Sequence, residues 1–357
     1  MNEIKINKTK IGDKNPCYIV CEAGPTHQGL ESAMRLSLSA KKAGANAIKF
    51  QILNSTRLVA DTLLEFTYVV LEDIKTEKRR TVTEPLRDIL VRRDMSRDEW
   101  SKLKKYCDSI DLEFFATACF KEDVDFLIKL GCKSIKIASS DINHISFIRY
   151  VAKTGVCIQL DTGGSTLTEM QVAVDAIRSE GNNNIIIHHC PSGYPANTKN
   201  VNLKMIQEIK RLFNCVVGYS DHSTGWNMDV AALALGANLI EKTITEDRTI
   251  QYVEHIMSLD PEETINFVKS IKEVEQAMGS TNKVLSASDI KKRNFSRRSI
   301  YLSQDLPVNH VIKESDIDFR RPGNGIAPDK IKDILSSTLK HKKKAGEILE
   351  WNDLKKK

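Results

Sequence analysis

A rhythm limits this chain more than any other feature of its sequence. Eight short apolar runs recur, and nearly every one is followed by a polar turn and an amphipathic stretch. The runs read as strands: Tyr18–Glu22, Ala47–Gln51, Glu113–Thr117, Ser134–Ser139, Val156–Leu160, the run from Ile185 into His188-His189-Cys190, Val216–His222 and Asn238–Lys242. Helical periods fall at Glu31–Ala43, Arg97–Ser109, Glu122–Leu130, Ile145–Lys153, Leu167–Ser179, Leu203–Phe213, Asp229–Leu235 and Pro261–Met278. Short runs without polar alternation suit parallel strands covered by helices on both faces. Parallel strands need right-handed crossovers, and eight such units in roughly 280 residues fit a (β/α)8 TIM barrel. A doubly wound open sheet is the competing arrangement. The turn after the first run, AGPTHQG, lacks the glycine pattern of a dinucleotide fold, which favours the barrel.

Two stretches break the rhythm. Residues Leu53 to Met95 are polar and charged, and read as an inserted loop with short helical pieces. A loop of that length usually covers a site. From Ser280 the chain turns rich in Ser, Asn, Lys and Arg, then shows only short strand and turn signals after Arg298. The expected division is a barrel over 1–280, a linker over 281–298 and a small β-rich domain over 299–357.

In a barrel, chemistry sits where the strands end. The ends carry Glu22, Lys49, Gln51, Thr117, Lys136, Ser139, Asp161, Thr162, His189, Asp221, His222, Glu241 and Lys242. Any one of these is explained by chains turning polar where strands stop; the whole set is not. His189 and His222 end neighbouring strands, so their imidazoles are expected to share one divalent ion. Two neutral imidazoles leave room for water and substrate oxygens, which suits Mn2+, with Mg2+ as an alternative, better than a closed zinc site. His188 falls on the opposite face from His189 and is expected to pack against a helix. Lys49 and Lys136 place positive charge near the axis, either for a phosphate or carboxylate or for Glu22 and Glu241. Glu22 and Lys136 are the candidate catalytic groups, with Glu22 placed to orient a hydroxyl or move a proton. Lys49, Gln51, Thr117, Ser139 and Asp221 are candidate substrate contacts.

Composition narrows the partners. The net charge of +6 is modest, and the basic runs near the C-terminus lack interleaved aromatics, which argues against nucleic acid. No apolar run reaches the ~18 residues of a membrane span. The N-terminal stretch lacks an export signal, so a cytoplasmic location with eight reduced cysteines is expected. No CxxC pair suggests a structural zinc.

Seven motifs together carry a family resemblance: EAGPTHQG, IKFQ, FFATACF, IKIASSD, HHCPSGYP, GYSDHS and RRPGNGI. They resemble the sialic acid synthase family over about residues 15–350, in which a TIM barrel precedes an antifreeze-like (SAF) domain. The resemblance implies metal-dependent condensation of phosphoenolpyruvate with a 2-acetamido hexose, giving a nine-carbon keto acid and phosphate. The metal ligands would be His189 and His222, with Mn2+, Mg2+ or Co2+ as the ion. Glu22 would match the family's first-strand glutamate. Lys49, Thr117, Lys136 and Ser139 would hold phosphoenolpyruvate, and Tyr194 would match the tyrosine of the YP turn. A domain-swapped homodimer would bring Arg321 to the partner's site. The chain departs from the family pattern at Asp161, where a serine is usual, and at Thr243 and Thr26. The acceptor is left open among N-acetylmannosamine, a 2,4-diacetamido trideoxy hexose and a mannose, 6-phosphorylated or unacetylated. The 53–95 stretch, Glu254 and His255 are expected to decide among them. A related synthase with a shorter acceptor, or a non-catalytic carbohydrate-binding protein, are the rival readings.

Overall fold

In the computed structural model, which describes residues 3–355, eight parallel strands close into a barrel. They are β1 (Tyr18–Glu22), β2 (Ala47–Ile52), β3 (Glu113–Ala118), β4 (Ser134–Ile137), β5 (Cys157–Asp161), β6 (Ile185–His189), β7 (Val216–Asp221) and β8 (Leu239–Thr243). Each strand pairs with its sequence neighbour, and β8 closes on β1 through Thr243 opposite Glu22. The helices that cover it are α1 (Leu30–Ala43), α2 (Arg97–Ser109), α3 (Lys121–Lys129), α4 (Ile145–Ala152), α5 (Leu167–Ser179), α6 (Met205–Phe213), α7 (Asn227–Ala234) and α8 (Pro261–Met278). Side chains fix the starts of several. Ser96, Thr166 and Asp260 close capping boxes at α2, α5 and α8. The alternation read from the sequence is thus the fold, with element ends shifted by a residue or two.

Strand parity sorts the side chains. Odd positions of β6, Ile185 and Ile187, pack outward with the helices, while Ile186 belongs to the interior cluster with Tyr18, Val20, Ala47, Phe115, Cys157, Val216 and Leu239. That apolar layer fills the lower barrel. Its floor is a feature the sequence reading passed over. A small hairpin, Ile4–Ile6 with Thr9–Ile11, contributes Ile4, Ile6 and Ile11 to the same cluster.

The 53–95 stretch is more ordered than an inserted loop. It holds short helices at Ser55–Leu58 and Leu86–Val91 and a long antiparallel hairpin, Glu65–Asp73 with Lys78–Pro85. Alternation along Phe66-Thr67-Tyr68-Val69-Val70 explains the strand: Tyr68 and Val70 are buried in a cluster with Ile89 and Val253.

The chain divides into two compact units, 1–279 and 280–357. The second has its own apolar core, built from residues such as Ile300, Leu302, Ile326, Leu339 and Leu354. Two small antiparallel sheets frame it, Ser299–Leu302 with Ile317–Arg320 and Thr338–Leu339 with Leu354–Lys355. The stretch expected as a linker carries a helix, Ala287–Ser296, started by a Ser286 capping box.

Candidate active site

Above the apolar layer the barrel interior becomes charged. Lys49 and Lys136 come from β2 and β4, and Glu22, Asp161 and Glu241 from β1, β5 and β8. Lys49 and Lys136 are 4% and 1% exposed, so each ammonium needs a partner. Glu241 Oε1 accepts from Lys49 Nζ at 2.7 Å and from Lys136 Nζ at 2.6 Å, and from Ser220 Oγ at 3.1 Å. Asp161 Oδ2 lies 2.9 Å from Lys136 Nζ, and Glu22 pairs with Lys49 while accepting from Gly24 N at 2.6 Å. Burial works against the Lys136 charge, but Asp161 and Glu241 outweigh it and raise its pKa. Burial likewise opposes the charge on Glu241, but the two lysines hold its carboxyl well below the usual range. Asp161 Oδ1 and Glu241 Oε2 are buried without a hydrogen-bond partner among the described residues. Three carboxylates face two lysines, so the layer carries one formal negative charge before any ligand binds.

A cavity of about 310 Å³ opens over this layer. Glu22, Lys49, Gln51, Thr117, Ser139, Tyr194 and His222, expected from the sequence, all line it. Lys136 lies beneath the floor and reaches the cavity through Asp161 and Glu241. Thus the serine-to-aspartate departure at position 161 gives Lys136 a fixed partner. Ser220 and Gln159 belong to the same layer and were missed. Counting every second residue back to the interior apolar positions Val216 and Cys157 would have found them.

Parity corrects two expectations. Asp221 does not face the cavity. It is 1% exposed on the helix side of β7, where Tyr219 Oη and Ser223 donate to it and Lys242 pairs with it. And His188, not His189, is the interior residue of β6. His188 is fully buried; its Nε2 lies 3.0 Å from Gln159 Oε1. A Cβ on Gly218 would stand 2.8 Å from His188 Nδ1, so only glycine fits opposite the ring. Burial pulls the His188 pKa down to about 4, which leaves the ring neutral.

His189 leaves the strand on the outer side, with its ring 6.0 Å from that of Tyr219. Its Nε2 lies 2.6 Å from the carbonyl of Val201, and His222 Nδ1 lies 3.2 Å from the carbonyl of Pro191. Each carbonyl accepts the ring hydrogen, so each histidine keeps a lone pair on its other nitrogen. Burial lowers both pKa values and favours the neutral rings a metal needs. His222 also stacks near Tyr194 in the cavity wall, with ring centres 4.6 Å apart. The neutral His222 ring at the cavity wall therefore suits a metal, whereas His189, turned to Val201 on the outer side, does not line the cavity. No cluster of three or more His, Cys, Asp or Glu side chains arranged for a metal occurs among the described residues.

Arg93 closes one side of the cavity. It is 6% exposed, 3.5 Å from Glu254 and 3.5 Å from Gln51 Oε1. Both Arg93 and Glu254 line the cavity. Arg321 lies exposed in the second unit, before a cis proline. All eight cysteines are buried free thiols. No helix among the described residues is long and apolar enough to cross a membrane.

Known proteins share this arrangement. Residues 38–283 match the NeuB family and residues 297–355 the SAF domain. The chain is 35% identical over 356 residues to N,N'-diacetyllegionaminic acid synthase of Legionella pneumophila, covering 98% of each. It is 30% identical over 307 residues to human N-acetylneuraminate-9-phosphate synthase, covering 85% of this chain and 82% of that one. The crystal structure of a Leptospira borgpetersenii N-acetylneuraminic acid (sialic acid) synthetase, in complex with citrate, superposes with a TM-score of 0.71 at 30% identity. That match covers 82% of this chain and 95% of that one. With a (β/α)8 barrel whose charged upper layer opens into one cavity, and a SAF domain after it, the chain belongs to the NeuB family of sialic acid-type synthases.

Proposed function

We propose that this enzyme condenses phosphoenolpyruvate with a 2-acetamido hexose, either N-acetylmannosamine or a diacetamido trideoxy analogue. The products are a nine-carbon sialic acid-type keto acid and inorganic phosphate. The observation that carries the reading is the buried layer of Lys49, Lys136, Glu22, Asp161 and Glu241 beneath a cavity of substrate size. Lys49 at the floor, with Lys136 behind Asp161 and Glu241, suits a site that binds the phosphate and carboxylate of phosphoenolpyruvate. Thr117 and Ser139 add hydroxyl donors on the same wall.

The chemistry forms one carbon–carbon bond and one C2–oxygen bond from water, breaks the C2–oxygen bond to phosphate, and passes the water's proton on balance to the former aldehyde oxygen, which ends as a hydroxyl. C3 of phosphoenolpyruvate attacks the sugar's aldehyde carbon. Water adds at C2, and phosphate leaves with the C2–O bond. Glu22, fixed by Gly24 N and Lys49, is placed to orient that water and take its proton. Lys136 holds Asp161 and Glu241 in place and balances charge as phosphate departs.

The layer's negative charge means that an anionic substrate needs further cations. A divalent ion, Mn2+ in this proposal, would be held at the cavity by His222 and would supply a Lewis acid for the aldehyde. Arg321 of a second copy is the other proposed source, in a domain-swapped homodimer.

The test is phosphate release from phosphoenolpyruvate in the presence of Mn2+ and each candidate sugar. Chelation should abolish release and Mn2+ should restore it. His222→Ala should lower kcat at least about a hundredfold while the melting temperature holds. Undiminished turnover after chelation ends the metal part of the proposal; no release with any amino hexose ends the whole.

A further inference from the structure

Among the described residues, the 53–95 insert lines the substrate cavity with Leu53, Leu58, Phe66, Leu86, Ile89 and Leu90, all apolar, and with a single charged side chain, Arg93. Arg93 stands just past the short helix Leu86–Val91, with its N–H on the carbonyl of Leu90. We propose that Arg93 binds the acceptor sugar: its guanidinium donates to the sugar's neutral oxygens, while Glu254 beside it accepts from a hydroxyl or an amide N–H. The inference rests on the condensation reading above and adds a binding residue to it.

Two arginines stand side by side here, and their surroundings separate them. Arg92 is fully engaged by the protein. Both its terminal nitrogens donate to the Glu84 carboxylate, Nη1 at 2.8 Å, and its guanidinium lies 4.6 Å from the centre of the Tyr252 ring. Arg93 is only 6% exposed, yet it is held more loosely. Nη2 is 3.5 Å from Glu254 Oε1 and Nη1 is 3.5 Å from Gln51 Oε1, against about 2.7–2.9 Å for a tight charge-assisted bond. Burial lowers the Arg93 pKa, and Glu254 offsets only part of that. An enclosed guanidinium with five N–H groups and two long contacts is short of acceptors. Among the enclosed, unpartnered polar atoms of the described residues there is no Arg93 nitrogen, so its spare N–H groups reach open space. Both its partners, Gln51 and Glu254, line the substrate cavity, which puts the tip of the side chain there.

Glu254 decides what Arg93 can bind. Its backbone lies in the left-handed region, at φ 72°, which few side chains adopt, and Ser258 Oγ donates to its carbonyl at 2.7 Å. That turn holds the carboxylate at the cavity wall, 3.5 Å from the guanidinium. A phosphate or carboxylate brought to Arg93 would meet Glu254 as well, and the repulsion would offset the attraction. A neutral group that both accepts and donates meets no such penalty. A hydroxyl can accept from Arg93 and donate to Glu254, and an acetamido group offers its carbonyl and N–H in the same way. The groups suited to an anion lie elsewhere in the cavity, with Lys49 at the floor and Thr117 and Ser139 on the wall. The amino hexose is the neutral partner in the condensation, so Arg93 and Glu254 are matched to it.

The experiment measures KM for each substrate separately in wild type, Arg93→Lys and Arg93→Met, with N-acetylmannosamine and its diacetamido trideoxy analogue as acceptors. Lysine keeps a positive charge beside Glu254 but loses the fork, so Arg93→Lys should raise KM for the sugar at least about tenfold. KM for phosphoenolpyruvate should stay within about threefold. Arg93→Met should raise the sugar KM further; if that variant does not fold, Arg93→Lys alone decides. An arginine that only holds the insert in place would lower the melting temperature and leave the ratio of the two KM values unchanged. That result, or a rise in KM for phosphoenolpyruvate with the sugar KM held, would overturn the proposal. Binding is read separately by calorimetry with the alditols of both sugars, which lack the aldehyde and do not react, in the presence of phosphoenolpyruvate. Wild type should bind them at least about tenfold more tightly than Arg93→Lys, and equal affinity or no binding to either protein would overturn the proposal. Absence of turnover with every sugar would instead strike the proposed activity, while the calorimetry still judges Arg93.

Discussion

Two buried lysine–carboxylate clusters sit one residue apart along the same strands, and they do different things. The inner one joins Lys49 and Lys136 to Glu22, Asp161 and Glu241, and opens into the cavity. The outer one joins Lys242 to Asp221 and Asp229 between barrel and helices, where all three are at most 1% exposed. Glu241 and Lys242 are chain neighbours, as are Ser220 and Asp221. Composition cannot separate the clusters; a shift of one residue in a strand moves a side chain from substrate to scaffold. The inner cluster lines a cavity through Glu22, Lys49, Asp161 and Glu241 and is built to meet a ligand. The outer cluster has its charges enclosed and is built to hold β7, β8 and α7 together.

The largest expected effect separates them by activity. Lys136→Ala should lower kcat/KM for phosphoenolpyruvate by about a hundred- to a thousandfold, because it removes a fixed charge from the site. Phosphate release under saturating sugar measures it. A loss under tenfold would mean that the inner cluster, like the outer one, is structural.

Lys242→Met should do the reverse. Breaking a buried pair on one side leaves an uncompensated charge, at about 3–5 kcal/mol. Urea unfolding should show that loss, while the folded fraction keeps kcat within a few-fold of wild type. If activity falls and stability does not, the assignment of faces is wrong.

The sequence made the barrel legible because eight apolar runs with helices between them admit few topologies. It also made most of the cavity legible, since Glu22, Lys49, Thr117 and His222 stand at strand ends. It failed where parity had to be known. The ladder that sets Ile186 inward also turns His188 inward and His189 outward, and no property of two adjacent histidines announces that. Asp221 was misread for the same reason, being polar at a strand end but on the outer face. The hairpin at 65–85 was hidden by its charges: Tyr68, Val70 and Leu71 are buried and Phe66 and Val82 partly so, too few residues to stand out among Arg79, Arg80 and Glu84.

The smallest expected effect probes the outer cluster's own imbalance. The Asp229 carboxyl is hydrogen-bonded to that of Asp221, and Lys242 Nζ is 3.8 Å from it. Burial, then the neighbouring Asp221, pushes the Asp229 pKa well above its ordinary value, while burial acts against the charge on Asp221 but Lys242 overrides it and holds that pKa down. The pair thus shares one proton. A folded pKa above the unfolded one stabilises the native state fully only below the unfolded pKa, about 3.9, and that contribution is lost as pH rises. Asparagine keeps the shape without needing the proton, and its amide can donate to Asp221. Asp229→Asn should therefore raise stability at pH 7 by more than the roughly 0.5 kcal/mol typical of inert surface changes. The gain should shrink toward zero as pH falls to about 4. Thermal melts of both proteins across pH 4 to 8 decide it. A variant less stable than wild type at pH 7 would mean that Asp229 is charged in the native state, and that Lys242 balances two carboxylates on the outer face as Lys136 does on the inner.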